Sequence, residues 1–477
     1  MAVAPDAGPA RGIGSRIPGV SRHPRAPHDD LIHDWNLTDQ PPRPARPVML
    51  DDETLRDGLQ GPSVVDPPIA TKREMLRVMD ALGIDTANVG LPGAGPRAEA
   101  DVAALCRTIV DEKLKIRPNC AARTMIRDIE PILRCAQKTG IAIEACLFIG
   151  SSAIRRYAED WTIDTLLRHT EESVTFAVRE GLLVMYVTED TIRADPGTVR
   201  RLYSTAIGFG AKRVCVTDTV GHATPHGAAA LVRHVAAVVR DSGAEVGIDW
   251  HGHRDRGLDL ASTLAAVSAG ATRVHGCALG IGERAGNTPM DLILVNLKLL
   301  GWIDNDLTRL PEYCRLVAEG CHVPIPPNYP VVGSDAYETG TGVHAAAVIK
   351  AIRRGDAWLA DRVYSGVPAS DFGLRQRIRV GPMSGRSNVV FWLEDRGIEP
   401  KEEIVSRIFD AAKRSDRLLE DAEIAALARP PRRVARAGRR ARGGGKALRS
   451  AGGRRPARRA SARSSRAAVR RAARSHR

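Results

Sequence analysis

The sequence has no apolar run that approaches the length of a transmembrane helix, and its first thirty residues lack the apolar core of a secretory signal. Its eight cysteines form no CxxC pair and show no spacing typical of a disulfide framework. These absences argue against membrane-spanning and disulfide-stabilised proteins and fit a reducing compartment. We therefore expect a cytoplasmic protein without membrane association. The Pro- and Arg-rich first thirty residues leave an organelle transit peptide as the alternative.

Acidic residues are absent from Arg429 onward, whereas 19 of the 70 Lys and Arg residues lie there. The formal net charge of +14 therefore comes from this segment, and the remainder of the chain is slightly acidic. Because the segment has almost no apolar residues beyond alanine, it cannot bury a core, and we expect residues 429–477 to be disordered. This basic tail is the one segment suited to nucleic acid, through counterion release; the simpler interpretation is a solvated, self-repelling appendage.

Short apolar runs alternate with longer segments of helical periodicity between residues 47 and 300. Eight such units in about 250 residues are typical of a (β/α)8 TIM barrel, an α/β fold whose active-site groups follow the C-terminal ends of the strands. The predicted strands are Val48–Leu50, Thr86–Gly90, Lys115–Asn119, Ala142–Ile149, Leu182–Val187, Arg213–Thr217, Val246–His251 and Arg273–Cys277.

The periodic pattern breaks after Gly301, and the Pro-rich stretch 324–330 predicts an extended linker. A helix is predicted to begin at Gly342, and residues 400–428 contain two further short helical patterns. We therefore predict four segments. They are a disordered arm over residues 1–46, a TIM-barrel catalytic domain over 47–305, a linker and small mostly helical subdomain over 306–428, and the disordered Arg-rich tail over 429–477.

His251 and His253 lie two residues apart at the end of the seventh predicted strand, so their imidazoles face the same side and can bind one metal ion. Asp57 follows the first strand, and Asn287 lies in a Gly-rich loop after the eighth. Each alone has a simpler interpretation, such as a surface ion pair or a turn, but these three strands are neighbours once the barrel closes. The four side chains form a mixed ligand set suited to Mg²⁺, Mn²⁺ or Zn²⁺. Arg56 beside them is suited to hold an oxygen that becomes negative during reaction.

Three motifs, Asp52–Gln60, His251–Gly257 and Gly282–Asn287, together resemble those of a known enzyme family. This is the metal-dependent Claisen-condensing barrel family of 2-isopropylmalate, homocitrate and citramalate synthases, to which 3-hydroxy-3-methylglutaryl-CoA lyase is more distantly related. The resemblance runs from about Met49 to about Gly397.

The resemblance implies a homodimer with a shared active site that condenses acetyl-CoA with a 2-oxo acid and then hydrolyses the thioester to release CoA. It implies catalytic roles for Arg56, Glu189 and His344, with His344 reaching the neighbouring subunit's barrel. Without the family, His344 would be interpreted as a helix-surface histidine. The predicted substrate-binding residues are Arg123, Arg155 and Thr219.

Some residues depart from the synthase pattern. Leu59 stands where most synthases carry Glu, Asn88 stands where a Glu is usual, and Cys277 is a candidate for the cysteine that a lyase needs. The Gly-Glu-Arg string that begins at Gly282 is a synthase feature. Arg155 is suited to the second carboxylate of 2-oxoglutarate, yet the motif set as a whole favours 2-oxoisovalerate and leucine biosynthesis. Homocitrate synthase, citramalate synthase, a lyase and an inactive binding scaffold are the alternatives.

Overall fold

The computed structural model describes residues 31–38, 43–44 and 46–429. The disorder predicted for residues 1–46 and 429–477 falls almost entirely outside the described residues. Within them, eight parallel strands close into a barrel in which each strand pairs with the next and β8 pairs with β1. The strands are β1 Met49–Asp52, β2 Thr86–Asn88, β3 Arg117–Arg123, β4 Glu144–Gly150, β5 Leu183–Glu189, β6 Arg213–Asp218, β7 Gly247–Gly252 and β8 Arg273–Gly276. The TIM barrel and all eight predicted strands are confirmed.

Helices follow the strands and surround the barrel. They are α1 Ile69–Ala81, α2 Pro96–Glu112, α3 Ile126–Thr139, α4 Ala153–Glu159, α5 Ile163–Arg179, α6 Pro196–Gly208, α7 Pro225–Ser242, α8 Asp259–Ala269, α9 Met290–Leu299 and α10 Leu310–Gly320. Short 3₁₀ turns lie at Trp35–Leu37, Gly58–Gln60, Pro92–Ala94, Thr191–Arg193, Ala278–Gly280 and Ala369–Phe372. Among the described residues, no helix is both long and apolar enough to cross a membrane.

The main hydrophobic core lies between the strands and the surrounding helices. Outward-facing strand residues such as Leu50, Val214 and Trp250 are fully buried there, because every second residue of a barrel strand faces the helices. The inward-facing residues of β1, β7 and β8 are instead polar, which is the alternation that places the site chemistry inside the barrel.

A buried ion network fills the N-terminal end of the barrel. Arg273 Nε lies 2.5 Å from Asp249 Oδ2, and Arg273 Nη2 lies 2.6 Å from Glu144 Oε2. Arg213 Nη2 approaches the other oxygen of Asp249 at 2.5 Å. Because both oxygens of Asp249 are engaged, β6, β7 and β8 are tied together beneath the residues at the barrel mouth.

The chain after the barrel folds as a mostly helical region, as predicted. Its elements are α11 Gly342–Arg353, α12 Ala357–Arg362, α13 Arg386–Glu394, α14 Glu402–Arg414 and α15 Asp421–Ala428, with a two-stranded sheet of β9 Glu338–Thr339 and β10 Arg377–Ile378. A small core of Ala345, Val348, Ile349 and Ile378 joins α11 to this sheet. Helix α10 packs on α1 of the barrel layer, and its Tyr313 hydroxyl donates to Asp52 at the end of β1. The predicted boundary at residues 305 and 306 stays a prediction.

Candidate active site

The loop after β1 is tied to the loop after β8, which places the first and third sequence motifs side by side. Glu53 N donates to Gly276 O at 2.8 Å, and Ala278 N donates to Thr54 Oγ1 at 2.9 Å. Gly58 N donates back to Glu53 O at 3.0 Å and closes the turn that carries Arg56 and Asp57. The turn therefore presents both side chains at the C-terminal mouth of the barrel.

Asp57, His251 and His253 form a buried cluster of possible metal ligands. The two Nε2 atoms lie 3.4 Å apart, and Asp57 Oδ2 lies 3.5 Å from that of His251 and 3.8 Å from that of His253. The nearest point equidistant from three atoms at these separations is about 2.1 Å from each, close to usual metal–ligand distances. The structure thus brings together three of the four predicted ligands with spacing that fits a divalent ion.

Asn287, the fourth predicted ligand, lies beside this cluster because its backbone pairs with that of His253 in an isolated β-bridge. Its Nδ2 donates to Ile281 O at 3.2 Å, whereas its Oδ1 is buried without a partner in the described part of the chain. The loop that holds it needs glycine at Gly286, where φ is +100° and a Cβ would overlap the carbonyl oxygen of Gly280.

The unpartnered atoms at this mouth are those expected of a metal site. Asp57 Oδ1 and Asn287 Oδ1 are buried oxygens with no hydrogen bond among the described residues, and such atoms are costly to bury without a partner. Burial opposes the charge on Asp57, but Arg56 and His251 outweigh it, and the pKa of Asp57 lies well below its usual range. Burial lowers the pKa of His253 to about 4, so its imidazole is neutral and able to ligate. The residues present therefore fit a divalent cation.

A second buried cluster, Glu53, His251 and His275, lies deeper in the barrel. His275 Nδ1 is 3.2 Å from Glu53 Oε1 and its Nε2 is 2.9 Å from Asp249 Oδ2, so both of its nitrogens are engaged. Burial opposes its charge, but Asp51, Asp249 and Glu53 outweigh it and raise the pKa of His275 to about 9. An imidazolium is not a metal ligand, so this cluster fits an ion less well than the first.

Glu53 and His275 were not predicted from the sequence as functional residues. For His275 a signal was available, because Arg273 and His275 lie on either side of the apolar Val274 on β8, and this alternation indicates that they face the barrel interior. Glu53 follows Asp51 and Asp52 without such alternation, so no periodic pattern singles it out.

Arg56 is held by two carboxylates at the mouth. Its Nη2 lies 2.5 Å from Glu53 Oε2 and its Nη1 lies 3.1 Å from Asp57 Oδ2. Although burial opposes its charge, these two carboxylates raise the pKa of Arg56 further above its usual range. Its Nε is buried and has no partner among the described residues, so this N–H is left to donate to a ligand.

These groups line a cavity of about 580 Å³ in the barrel mouth. Its polar side comes mainly from β1, β7, β8 and their loops, and Glu189, Thr217 and Thr219 add polar groups at the ends of β5 and β6. Its other side is an apolar wall of residues from β3 to β6, defined by Ala121, Cys146, Phe148, Met185, Val187 and Cys215. Among the described residues, Arg56 is the only Arg or Lys that lines the cavity. The cavity thus combines one charged, metal-competent side with one hydrocarbon side.

Glu189 and Thr219, both predicted from the sequence, also line the cavity. Burial raises the pKa of Glu189, although Arg155 and Arg56 oppose that shift. Thr219 Oγ1 accepts from Asp190 N at 2.8 Å, which ties the loop after β5 to that after β6. A carboxyl of raised pKa in a ligand cavity is a candidate acid or base.

Arg123, Arg155 and His344 do not line this cavity. Arg123 Nε lies 2.5 Å from Asp128 Oδ2, and Arg155 Nη1 lies 2.9 Å from Glu159 Oε1. His344 is at the exposed N-terminal end of α11, where its ring stacks on that of Tyr364 at 4.2 Å. The roles predicted for these three residues stay predictions.

The HMGL-like family model matches residues 48–317. Homocitrate synthase AksA of Methanopyrus kandleri is 33% identical over 80% of this chain and 90% of that protein. The probable 2-isopropylmalate synthase of the same organism is also 33% identical, over 77% of this chain and 69% of that protein. The crystal structure of an HMG-CoA lyase from Bacillus subtilis has the same fold, with a TM-score of 0.50 and 21% identity. The match covers 60% of this chain and 96% of the lyase chain.

Proposed function

The chain belongs to the HMGL-like family, and from that premise we propose that it is an acyltransferase that condenses acetyl-CoA with a 2-oxo acid and releases CoA, with 2-oxoisovalerate as the preferred acid. The observation that carries this proposal is the barrel-mouth cavity, where Arg56 and the cluster of Asp57, His251 and His253 face an apolar wall. A charged side suits the oxo-carboxylate end of the substrate, and a hydrocarbon side suits its alkyl end.

Asp57, His251, His253 and Asn287 would hold the divalent cation, and the ligand set does not choose among Mg²⁺, Mn²⁺ and Zn²⁺. When bound, the cation supplies Lewis-acid polarisation of the carbonyl that is attacked. Asp57 contributes a carboxylate that stays ionised, because its pKa is held well below the usual range.

Arg56 stabilises the oxygen that becomes negative when the carbon–carbon bond forms. Its Nη atoms are held by Glu53 and Asp57, and its Nε donor has no partner among the described residues. A fixed donor of this kind needs no reorganisation during the reaction.

Glu189 contributes to removal of a proton from the methyl group of acetyl-CoA, together with His344 of a second copy of the chain. Its raised pKa makes the Glu189 carboxylate a stronger base than an exposed glutamate. The carbanion electrons then form the new carbon–carbon bond, and water later cleaves the thioester, so that CoA leaves as the thiol.

The choice of 2-oxoisovalerate is supported by the charges at the cavity. A dicarboxylic acid such as 2-oxoglutarate would need a second cation for its distal carboxylate, because an unpaired buried charge is costly. Arg56 is already paired with Glu53 and Asp57, and Arg155 is paired with Glu159 outside the lining. A branched hydrocarbon side chain needs only the apolar wall.

A homodimer with a shared site is supported by an exposed patch around His344. Val343 is 77% exposed, Met383 is 72% exposed and Tyr364 is 49% exposed, and all three are large apolar or aromatic groups. Gly342 N donates to Met383 O at 3.1 Å, so α11 and the loop before α13 present this patch together. We propose that a second copy of the chain covers it and receives His344 in its barrel mouth.

The lyase alternative has little support from Cys277. Its thiol is fully buried, does not line the cavity, and would be in contact with a Cβ added at Gly58. Burial raises the pKa of the Cys277 thiol well above its usual range. Such a thiol is a packing group rather than a reactive one.

A role in leucine biosynthesis follows from the proposed substrate, and the cytoplasmic location expected from the sequence stays a prediction. Nucleic acid binding through the Arg-rich tail is a separate proposal about residues outside the described part of the chain.

The test is CoA release from acetyl-CoA with 2-oxoisovalerate, 2-oxoglutarate, pyruvate or oxaloacetate, each with Mn²⁺ and with chelator. We expect the highest kcat/KM with 2-oxoisovalerate and loss of release on chelation. A preference for 2-oxoglutarate would favour homocitrate synthase, the activity named for one of the 33% identical relatives. Cleavage of a hydroxyacyl-CoA would favour the lyase, and no release with any acid would contradict the proposal.

A further inference from the structure

We infer that Glu53 and His275 form a buried positioning pair that fixes Arg56, and through it Asp57, at the mouth of the barrel. The kinetic part of this inference rests on the proposed function, whereas its structural part concerns the chain without substrates. Both residues line the cavity, and in this inference each acts through Arg56 rather than on the substrate.

The two oxygens of the Glu53 carboxylate contact different residues. Oε2 lies 2.5 Å from Arg56 Nη2, and Oε1 lies 3.2 Å from His275 Nδ1. The carboxylate is 2% exposed and both of its oxygens have partners, so it bridges the two cations. Rotation of Glu53 would break both contacts at once.

His275 is in turn held by Asp249. Its Nε2 lies 2.9 Å from Asp249 Oδ2, and Asp249 is held by Arg273 at 2.5 Å and Arg213 at 2.5 Å. A continuous series of contacts therefore runs from the ion network of the barrel floor to Arg56. Because Glu53, His275 and Asp249 are buried, their side chains have little freedom to take other rotamers.

Arg56 also fixes the position of the Asp57 carboxylate. Arg56 Nη1 lies 3.1 Å from Asp57 Oδ2, the same oxygen that faces His251 and His253. Arg56 is a long side chain that is 19% exposed, and Glu53 is the shorter of its two carboxylate contacts. Without Glu53, both the Nε donor of Arg56 and the oxygen of Asp57 lose their fixed position, and a supporting residue of this kind typically contributes about 10- to 100-fold to affinity or rate.

The test compares Glu53→Gln with Glu338→Gln, which is the same substitution in another largely buried ion pair. Glu338 Oε2 lies 2.7 Å from Arg379 Nη1 beside the β9–β10 sheet, outside the ion network that anchors His275. For Glu53→Gln we expect kcat to fall about 10- to 100-fold and Mn²⁺ affinity without substrate to fall about 10-fold, with KM for acetyl-CoA within about twofold. For Glu338→Gln we expect a lower melting temperature, with kcat and Mn²⁺ affinity within about twofold of wild type.

A double-mutant cycle then tests whether the pair acts as a unit. We expect Glu53→Gln with His275→Gln to lose no more in kcat and Mn²⁺ affinity than the worse single variant, because either substitution already releases Arg56. Independent losses that multiply would overturn the positioning role of His275.

The remaining outcomes separate this inference from the proposed function. If wild type condenses no oxo acid, the proposed function fails, and the Mn²⁺ affinities of the variants still decide the inference. Glu53→Gln with wild-type kcat and Mn²⁺ affinity would overturn it. So would equal losses in Glu53→Gln and Glu338→Gln, which would mean a purely structural role. Abolished Mn²⁺ binding in Glu53→Gln, together with binding retained in Asp57→Asn, would make Glu53 a ligand and overturn it as well.

Discussion

Asp52, the last residue of β1, gives a quantitative test of how burial acts on the segment that carries Arg56 and Asp57. Its Oδ1 accepts from Thr54 N at 2.8 Å and its Oδ2 accepts from Tyr313 OH. Burial is the main cause that raises the pKa of Asp52 from 3.8 to about 7, even though these hydrogen bonds oppose the rise. We predict that the free energy of unfolding of Asp52→Asn, relative to that of wild type, is higher at pH 8 than at pH 4.

The sign and size of this pH dependence follow from proton linkage. The folded pKa lies above the unfolded value, so the unfolded chain loses its proton first as pH rises, and wild-type stability falls between about pH 4 and pH 7. A shift from 3.8 to about 7 corresponds to about 4 kcal/mol. An asparagine keeps an acceptor for Thr54 N and cannot ionise, so it escapes this cost. The free energy of unfolding of Asp52→Asn relative to wild type should therefore rise by about 4 kcal/mol from pH 4 to pH 8.

The assay is urea unfolding followed by circular dichroism at several pH values, with the denaturant slope required to match between variants. Asp195→Asn is the control of opposite sign, because hydrogen bonds from Thr198 lower the pKa of Asp195 at the start of α6. Its free energy of unfolding relative to wild type should fall as pH rises. If the difference in free energy of unfolding between Asp52→Asn and wild type is independent of pH, or falls toward pH 8, burial does not raise the pKa of Asp52.

Three further predictions concern the site. Burial raises the pKa of Glu189, so kcat should fall as pH falls through a value above 4.5, and Glu189→Gln should remove this acidic limb and lower kcat about 100- to 10,000-fold; an unchanged limb would assign it to another group. Gly286→Ala should abolish Mn²⁺ binding measured by calorimetry, because the added Cβ overlaps the Gly280 oxygen beside Asn287, whereas Gly243→Ala, at a positive φ with open space, should bind Mn²⁺ as wild type does. Arg56→Ala and His344→Ala should each be inactive alone. If the site is shared, each mixed dimer has one intact site of two, so a 1:1 mixture in which half of the dimers are mixed should regain about a quarter of wild-type activity, and no recovery in verified mixed dimers would contradict the shared site.

The parts of the fold that depend on local pattern could be predicted from the sequence. Alternating apolar and helical periods give the eight strands, and closure of the barrel makes β1, β7 and β8 neighbours, so Asp57, His251, His253 and Asn287 could be expected at one rim. These predictions need only the periodicity of the backbone and the order of the strands.

Contacts that depend on the direction in which a side chain points could not be predicted from the backbone pattern. Glu53 and His275 are 222 residues apart, and their meeting depends on the register of β1 with β8. The ion pair of Arg155 with Glu159 depends on the short helix α4 beyond the barrel rim, which no periodic pattern specifies. Whether a charged side chain points into or away from a cavity is decided by such neighbours.

We propose that one divalent ion binds at the barrel mouth through the side chains of Asp57, His251, His253 and Asn287. Anomalous diffraction at the manganese edge from crystals grown with Mn²⁺ would locate this ion. We expect one strong peak about 2.1 Å from the Nε2 atoms of both histidines and from an oxygen of Asp57. A peak between Glu53 and His275, or no peak in the barrel at saturating Mn²⁺, would exclude this site.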